Sequence, residues 1–213
     1  MTPSGRLESL DVFRGATIAA MILVNNPGSW SAVYSPLLHA GWHGWTPTDL
    51  IFPFFLWISG VAMTLSFAKR MERGDGRRRL FLHTLRRAAA IFGVGLFLNA
   101  FPYFDLATLR IPGVLQRIAV CYLIAAAIFL TTKLRGQAIA ILSLLGVYWA
   151  VMKWIPVPGY GAGVLEKHGN FAQWIDSLVL SGHMWSATKT WDPEGIVSTL
   201  PSIATVLFGV LCG

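Results

Sequence analysis

Leu-Asp-Val-Phe-Arg-Gly (10–15) opens an apolar run that ends on Val-Asn-Asn (24–26), and Phe-Pro-Phe-Phe-Leu-Trp-Ile-Ser-Gly (52–60) opens the next. Between them lies a loop carrying His-Ala-Gly-Trp-His-Gly-Trp-Thr-Pro-Thr-Asp (39–49). Both runs have the length of a bilayer span, and the 27–47 loop holds two histidines, three tryptophans and no lysine or arginine. Asp11, Arg14, Asn25, Asn26 and Asp49 sit inside or at the edges of these runs. Polar groups there are costly and mark function. Chemistry at a membrane is therefore the leading reading.

The rest of the chain agrees. It is 54% hydrophobic and 13% charged over 213 residues, against about 25% charged in a soluble domain. A span takes roughly 20 apolar residues to cross about 30 Å of hydrocarbon. Six are read, at 8–26, 48–68, 84–101, 113–132, 138–155 and 196–213. The expected fold is all-α, a polytopic integral membrane bundle with 1–213 forming a single domain. The first span has no small-residue cleavage site after it and reads as retained. The last reaches Gly213 with no polar tail, which reads as a chain cut within its architecture.

Net charge is +7, but its placement argues topology rather than nucleic-acid binding. Lys69, Arg70, Arg73, Arg77, Arg78, Arg79, Arg86 and Arg87 cluster between spans two and three, Lys133 and Arg135 between four and five, and Arg6 precedes the first. The other loops hold only Arg110, Lys167 and Lys189, with Lys153 near a span end. Positive charge marks the cytoplasmic side. The N-terminus is then cytoplasmic, and the His39 and 156–195 loops extracytoplasmic. Cys121 and Cys212 lie in apolar spans and form no disulfide framework.

His39 stands at the outer membrane edge, where a neutral imidazole suits general-base or nucleophilic work near neutral pH. A solvated loop histidine is the plainer reading. His43 follows four residues on, but Gly41 and Gly44 interrupt any helix and no third ligand is close, so no metal site is expected. Thr46, Pro47 and Asp49 read as N-cap, first helical residue and capping-box acid of span two. Asp49 either only caps or also orients a histidine. Asn25 and Asn26 end span one on the same side. They either cap it or offer an amide to a developing oxyanion. The 27–47 loop would have to fold back over the helix ends to bring them to His39.

Arg14 and Arg117 are the in-span arginines. Arg14 has Asp11 at i−3, while Arg117 has only Gln116 as a polar neighbour and either snorkels outward or binds an anion. Asp-Pro-Glu-Gly (192–195) reads as a helix start. A second general base from Asp192 or Glu194 is the alternative.

The ordered set Leu-Asp-Val-Phe-Arg-Gly, Val-Asn, His-Ala-Gly-Trp-His-Gly-Trp-Thr-Pro-Thr-Asp-Leu-Ile-Phe-Pro-Phe-Phe, Arg-Ile-Pro-Gly-Val-Leu-Gln-Arg (110–117) and Asp-Pro-Glu-Gly resembles the heparan-alpha-glucosaminide N-acetyltransferase family and its bacterial relatives. The resemblance covers essentially the whole chain. It implies a transmembrane acetyltransferase that moves acetyl from cytosolic acetyl-CoA to an amino sugar or glycan on the other face. It implies catalytic roles for His39 and Asn25, and Asp49, from its place at the start of span two, is expected to join them. It leaves open a covalent acetyl-histidine or direct transfer. Arg14, Arg117 and Asn26 are the residues expected to contact the coenzyme.

The family domain has more spans than this chain. Expected partners are acetyl-CoA, the glycan acceptor and membrane lipid, with a homodimer left open and no nucleic acid. A bacterial source would place the protein in the inner membrane, with an amino sugar or envelope glycan as acceptor. The rival class is a transporter or flippase for a glycan or small anion, which in-span polar residues serve equally well.

Overall fold

The computed structural model describes residues 7–213, so Arg6 lies outside the described residues. The fold is all-helical. Helices run α1 Glu8–Asn25, α2 Pro47–Glu72, α3 Arg77–Ala100, α4 Val114–Thr131, α5 Leu134–Trp154, α6 Phe171–Val179 and α7 Thr199–Cys212. A single 3-10 turn, Ser35–Leu37, interrupts the first loop.

Among the described residues, four helices, α2 to α5, are long and apolar enough to cross a membrane. The protein is a helical membrane bundle. Helix α1 has span length but carries Glu8, Asp11 and Arg14 in its 18 residues. Helix α7 has 14 residues, about 21 Å at 1.5 Å per residue. Each of the six expected spans coincides with a helix, the first and last being the two that fall short on charge or length.

Several boundaries shift by three or four residues, and one by more. Helix α3 begins at Arg77 rather than 84. Arginine is a good helix former, and its long side chain carries charge away from an apolar axis. Asp75 organises the turn before it. It accepts from Arg70 Nε at 2.9 Å and Arg79 Nη1 at 3.0 Å, while Gly74 supplies a positive φ of 89°.

Helix α7 packs against α2, α4 and α5. The α2–α7 crossing is a backbone contact. A Cβ built on Gly60 would lie 2.0 Å from the Val206 carbonyl oxygen, and one on Gly209 would lie 2.0 Å from that of Trp57. Small residues allow this close approach where lipid offers no hydrophobic drive between helices. Around it lies the core of Leu56, Met63, Phe67, Cys121, Ala125, Val206 and Leu207. Helix α3 packs on α4, with the Gln116 side chain filling the space that a Cβ on Gly95 would take. Helix α1 rests on α2, Phe13 lying 5.3 Å from Phe54 and 6.1 Å from Trp57, ring centre to ring centre.

Candidate active site

Helix α2 starts as its sequence dictates. Thr46 is the N-cap, Pro47 leads, and Asp49 closes a capping box, its Oδ2 accepting the Thr46 backbone N–H at 2.8 Å. The same Oδ2 accepts the Ala40 backbone N–H at 3.1 Å and the Thr46 hydroxyl at 3.1 Å. The second oxygen, Oδ1, lies 2.6 Å from His39 Nδ1. One carboxylate therefore both caps the helix and holds the histidine. Of the two readings the sequence left open, the geometry has the second, a cap that also contacts the histidine.

The loop is pinned to the helix start by its backbone. Thr46 Oγ1 donates to the Leu38 carbonyl at 2.6 Å, and Thr48 Oγ1 donates to that of Pro36 at 3.1 Å. His39 is thereby fixed at Nδ1, yet its side chain keeps 70% exposure. With Nδ1–H donated to Asp49, the Nε2 lone pair faces outward for proton transfer or attack. This orientation by a carboxylate is the arrangement that general bases use.

Beneath the loop, an apolar cavity of about 280 Å³ is lined by Ala20 and Val24 of α1, Pro36 and Leu37 of the loop, and Thr48 and Ile51 of α2. The loop does fold back toward the end of α1. Asn25 and Asn26 follow Val24 there. Their amides point back along the helix, Asn25 Nδ2 donating to the Met21 carbonyl at 2.9 Å and Asn26 Nδ2 to that of Ile22 at 2.8 Å. Both residues are exposed, leaving each amide oxygen open to a ligand.

Arg14 pairs with Asp11 at 3.4 Å. It also lines a second cavity, of about 470 Å³, together with Ser59, Ser66, Arg87 and Tyr122. Arg87 stands over the Tyr122 ring, 5.3 Å from its centre. The sequence grouped Arg87 with the topology-setting charges. Its role as a cavity wall depends on helical phase and on the packing of α3 against α4.

Arg117 neither snorkels nor stands open. It is buried, with Nη2 donating to the Gly195 carbonyl at 3.0 Å and to Ser198 Oγ at 2.5 Å. Its Nε keeps a hydrogen that no protein group accepts.

The 192–195 turn collects two further charged groups, Arg110 and Asp176. Arg110 forks onto Asp192, with Nε to Oδ2 at 2.9 Å and Nη2 to Oδ1 at 2.7 Å, and reaches Glu194 Oε2 at 2.5 Å. Asp176 of α6 accepts the Ile196 N–H at 2.9 Å. A Cβ on Gly195 would fall 1.9 Å from an Asp176 oxygen, so only glycine fits. Burial pushes the Asp192 carboxyl up, but the Arg110 hydrogen bond and charge outweigh it and hold it below the usual carboxylate value. Burial raises Glu194, against the charges of Arg110 and Arg117, and likewise raises Asp176. The sequence marked Arg110 only as part of the 110–117 motif and did not mark Asp176, because their partners lie far along the chain.

The 27–47 and 156–195 loops meet. Trp42 Nε1 donates to the Leu165 carbonyl at 2.7 Å, Trp42 packs edge-on against Trp191 at 5.2 Å, and His43 Nε2 lies 3.3 Å from Glu166 Oε1. His43 thus has a carboxylate neighbour. Among the described residues, no group of three or more His, Cys, Asp or Glu is placed to hold a metal ion.

Comparison with known proteins gives a consistent result. The chain is 28% identical to heparan-alpha-glucosaminide N-acetyltransferase of Mus musculus, over 99% of this chain and 39% of that protein. It is 30% identical to the Homo sapiens protein of the same name, over 98% and 38%. It thus spans about two fifths of the length of these relatives. The family model for the catalytic region of heparan-alpha-glucosaminide N-acetyltransferase matches residues 6–213, so the chain belongs to that family.

Proposed function

We propose that this protein transfers acetyl from acetyl-CoA, drawn from the cytoplasmic side, to an amino sugar or glycan at the extracytoplasmic face. Family membership supports the reaction class. The observation that carries the reading is the 2.6 Å contact between His39 Nδ1 and Asp49 Oδ1, with the rest of the imidazole exposed.

In direct transfer, His39 Nε2 takes a proton from the acceptor amine as the amine nitrogen bonds to the thioester carbon. The carbon–sulfur bond breaks, and the imidazolium, stabilised by Asp49, returns its proton to the thiolate. In the covalent variant, Nε2 itself bonds to the acyl carbon and expels the thiolate; the amine then displaces the imidazole, and the proton the amine loses goes to the thiolate to give the thiol. Both variants use the same contact and consume one thioester per amide formed. The Asn25 amide positions the acyl oxygen through the N–H that it does not give to Met21.

Arg14 and Arg87 in the 470 Å³ cavity suit phosphate or polar pantetheine atoms of the donor. The unaccepted Nε–H of Arg117 offers one further donor, and Asn26 contacts the donor at the outer end. On the charge rule, Arg14 and Ser66 line the cytoplasmic part of this cavity, which reaches Leu115 at the outer start of α4, and His39 lies at the outer edge.

The test is His39→Ala in membranes, assayed with labelled acetyl-CoA and glucosamine. Transfer should be lost while insertion and CoA-dependent thermal stabilisation persist. Transfer at the wild-type rate would remove His39 from the mechanism. Glycan or anion movement without acetyl-CoA would favour the transporter.

A further inference from the structure

We propose that Trp42 and Trp191, flanked by Glu166 and His43, form a sugar-binding platform beside His39 that seats a pyranose ring of the acceptor. This rests on the acetyltransferase reading only for which ring is seated.

Three observations point to it. First, Trp42 stands three residues from His39 on the same loop, which Thr46 and Thr48 pin to the start of α2. Second, the two indoles are held in place. Trp42 spends its N–H on the Leu165 carbonyl at 2.7 Å and meets Trp191 edge-on at 5.2 Å. A tryptophan of the interfacial belt keeps its polar tip for water and headgroups, and Trp42 does not. Third, polar groups sit at the edge of the indoles. Glu166 and His43 form an exposed pair at 3.3 Å, with side chains 74% and 65% exposed.

A pyranose has an apolar face of C–H groups and a rim of hydroxyls. Rigid indoles match the face, and a carboxylate with an imidazole matches the rim. The 27–47 loop has no lysine or arginine. With Glu166 and Asp49 close by, the site favours a neutral or cationic amino sugar over an anionic one.

The platform joins three separate segments: the His39 loop, the 165–166 strip and the residue before Asp192. A platform built across two loops orders both when occupied. Occupancy should therefore hold the 156–195 loop against the catalytic loop.

The experiment measures binding of glucosamine and its β-1,4-linked dimer to the full chain in nanodiscs, by calorimetry and saturation-transfer NMR, without acetyl-CoA. Trp42→Ala and Trp191→Ala should each weaken binding about tenfold. Trp42→Phe, which keeps a ring, should weaken it less, and Trp45→Ala, with a well-exposed ring on the same loop, less than twofold. Glu166→Gln should reduce preference for the amino sugar over the matching neutral sugar. Equal binding by wild type, Trp42→Ala and Trp191→Ala would overturn the platform. So would an equal loss in Trp45→Ala, or no binding by wild type. Trp191→Ala removes no hydrogen bond made by its own side chain, so it keeps the test open if Trp42→Ala fails to fold. Binding that depends on both tryptophans in a protein that transfers no acetyl would leave the platform standing and sink the acetyltransferase reading instead.

Discussion

Asp49 divides its two oxygens between two tasks, Oδ1 on His39 Nδ1 at 2.6 Å and Oδ2 on the N–H groups that open helix α2. Stability and reactivity therefore converge on one side chain, and substitution separates them. Asp49→Asn keeps an oxygen able to cap but loses the charge that stabilises an imidazolium. Acetyl transfer should fall by about a hundredfold or more. Thr46→Val keeps the carboxylate and loses the hydroxyl bonds to Leu38 and Asp49. It should cost about 1 kcal/mol of stability and leave transfer within a few-fold. Steady-state rates paired with melting curves distinguish the two. Equal activity losses in both variants would mean that Asp49 acts only as a cap.

Asn25 supplies a different kind of test because its one hydrogen bond is local. Its Nδ2 donates to Met21 on its own helix, at an exposed position. Asn25→Ala should barely move the melting temperature while lowering kcat about a hundredfold, the usual cost of losing one oxyanion donor. Asn26 makes the same local bond to Ile22. Asn26→Ala should instead raise KM for acetyl-CoA with kcat kept. Identical kinetics in the two variants would contradict these separate roles.

The α2 start was legible because capping uses residues three apart, and Thr46, Pro47 and Asp49 are neighbours in sequence. The apolar runs likewise marked the helices, since lipid imposes a local rule on composition. The fate of Arg117 was not legible. Its acceptors, Gly195 and Ser198, lie 78 and 81 residues away. The same holds for Arg110 and Asp192, 82 residues apart. Gly60 and Gly209 could be seen as small residues, but their meeting depends on how α7 crosses α2. The early start of α3 was missed because a charge count ends a span sooner than it ends a helix.

That crossing yields a stability prediction. A methyl group on Gly60 would meet Val206 backbone, and one on Gly209 would meet Trp57 backbone. Backbone cannot rotate aside as a side chain can. Gly60→Ala or Gly209→Ala should destabilise by about 1–3 kcal/mol or more, the range for overpacking. Gly93→Ala, where a Cβ meets nothing within 4 Å, should be neutral or slightly stabilising in its helix. Thermal unfolding in detergent checks all three, and equal melting temperatures would show that α2 and α7 do not touch at these glycines.

Arg87 and Arg14 face one cavity of about 470 Å³. If they hold anionic parts of the donor, removing either charge weakens donor binding without touching His39. Arg87→Gln should raise KM for acetyl-CoA about tenfold, as expected for one charge-assisted hydrogen bond, and leave the acceptor KM alone. Arg86→Gln, one residue away on the helix and outside that lining, is the control. A matched rise in both variants would reduce the effect to the general positive charge of α3.

The turn at Asp192 gives an opposed pair of titrations. Asp192 is held below the ordinary 3.8, because Arg110 outweighs its burial. The stability it contributes is present above the unfolded value and lost as pH falls through the lower folded one. Glu194 moves the other way, raised above 4.5 by burial. On acidification it takes up its proton in the fold first, so stability rises there. Asp176 is raised for the same reason and acts in the same direction. The melting temperature should therefore rise modestly as pH drops toward the carboxylate range and then fall below it. Glu194→Gln should flatten the rise. Asp192→Asn leaves Arg110 without its fork and the Trp185 N–H without the carboxylate it now reaches at 2.9 Å. That variant should lose about 3 kcal/mol at neutral pH, as expected when one partner of a buried ion pair is removed, and should lack most of the acid fall. A curve in Asp192→Asn that still drops as steeply as wild type would place the acid-labile group elsewhere, with Asp75 and Asp105, whose carboxyls are also lowered, the next to substitute.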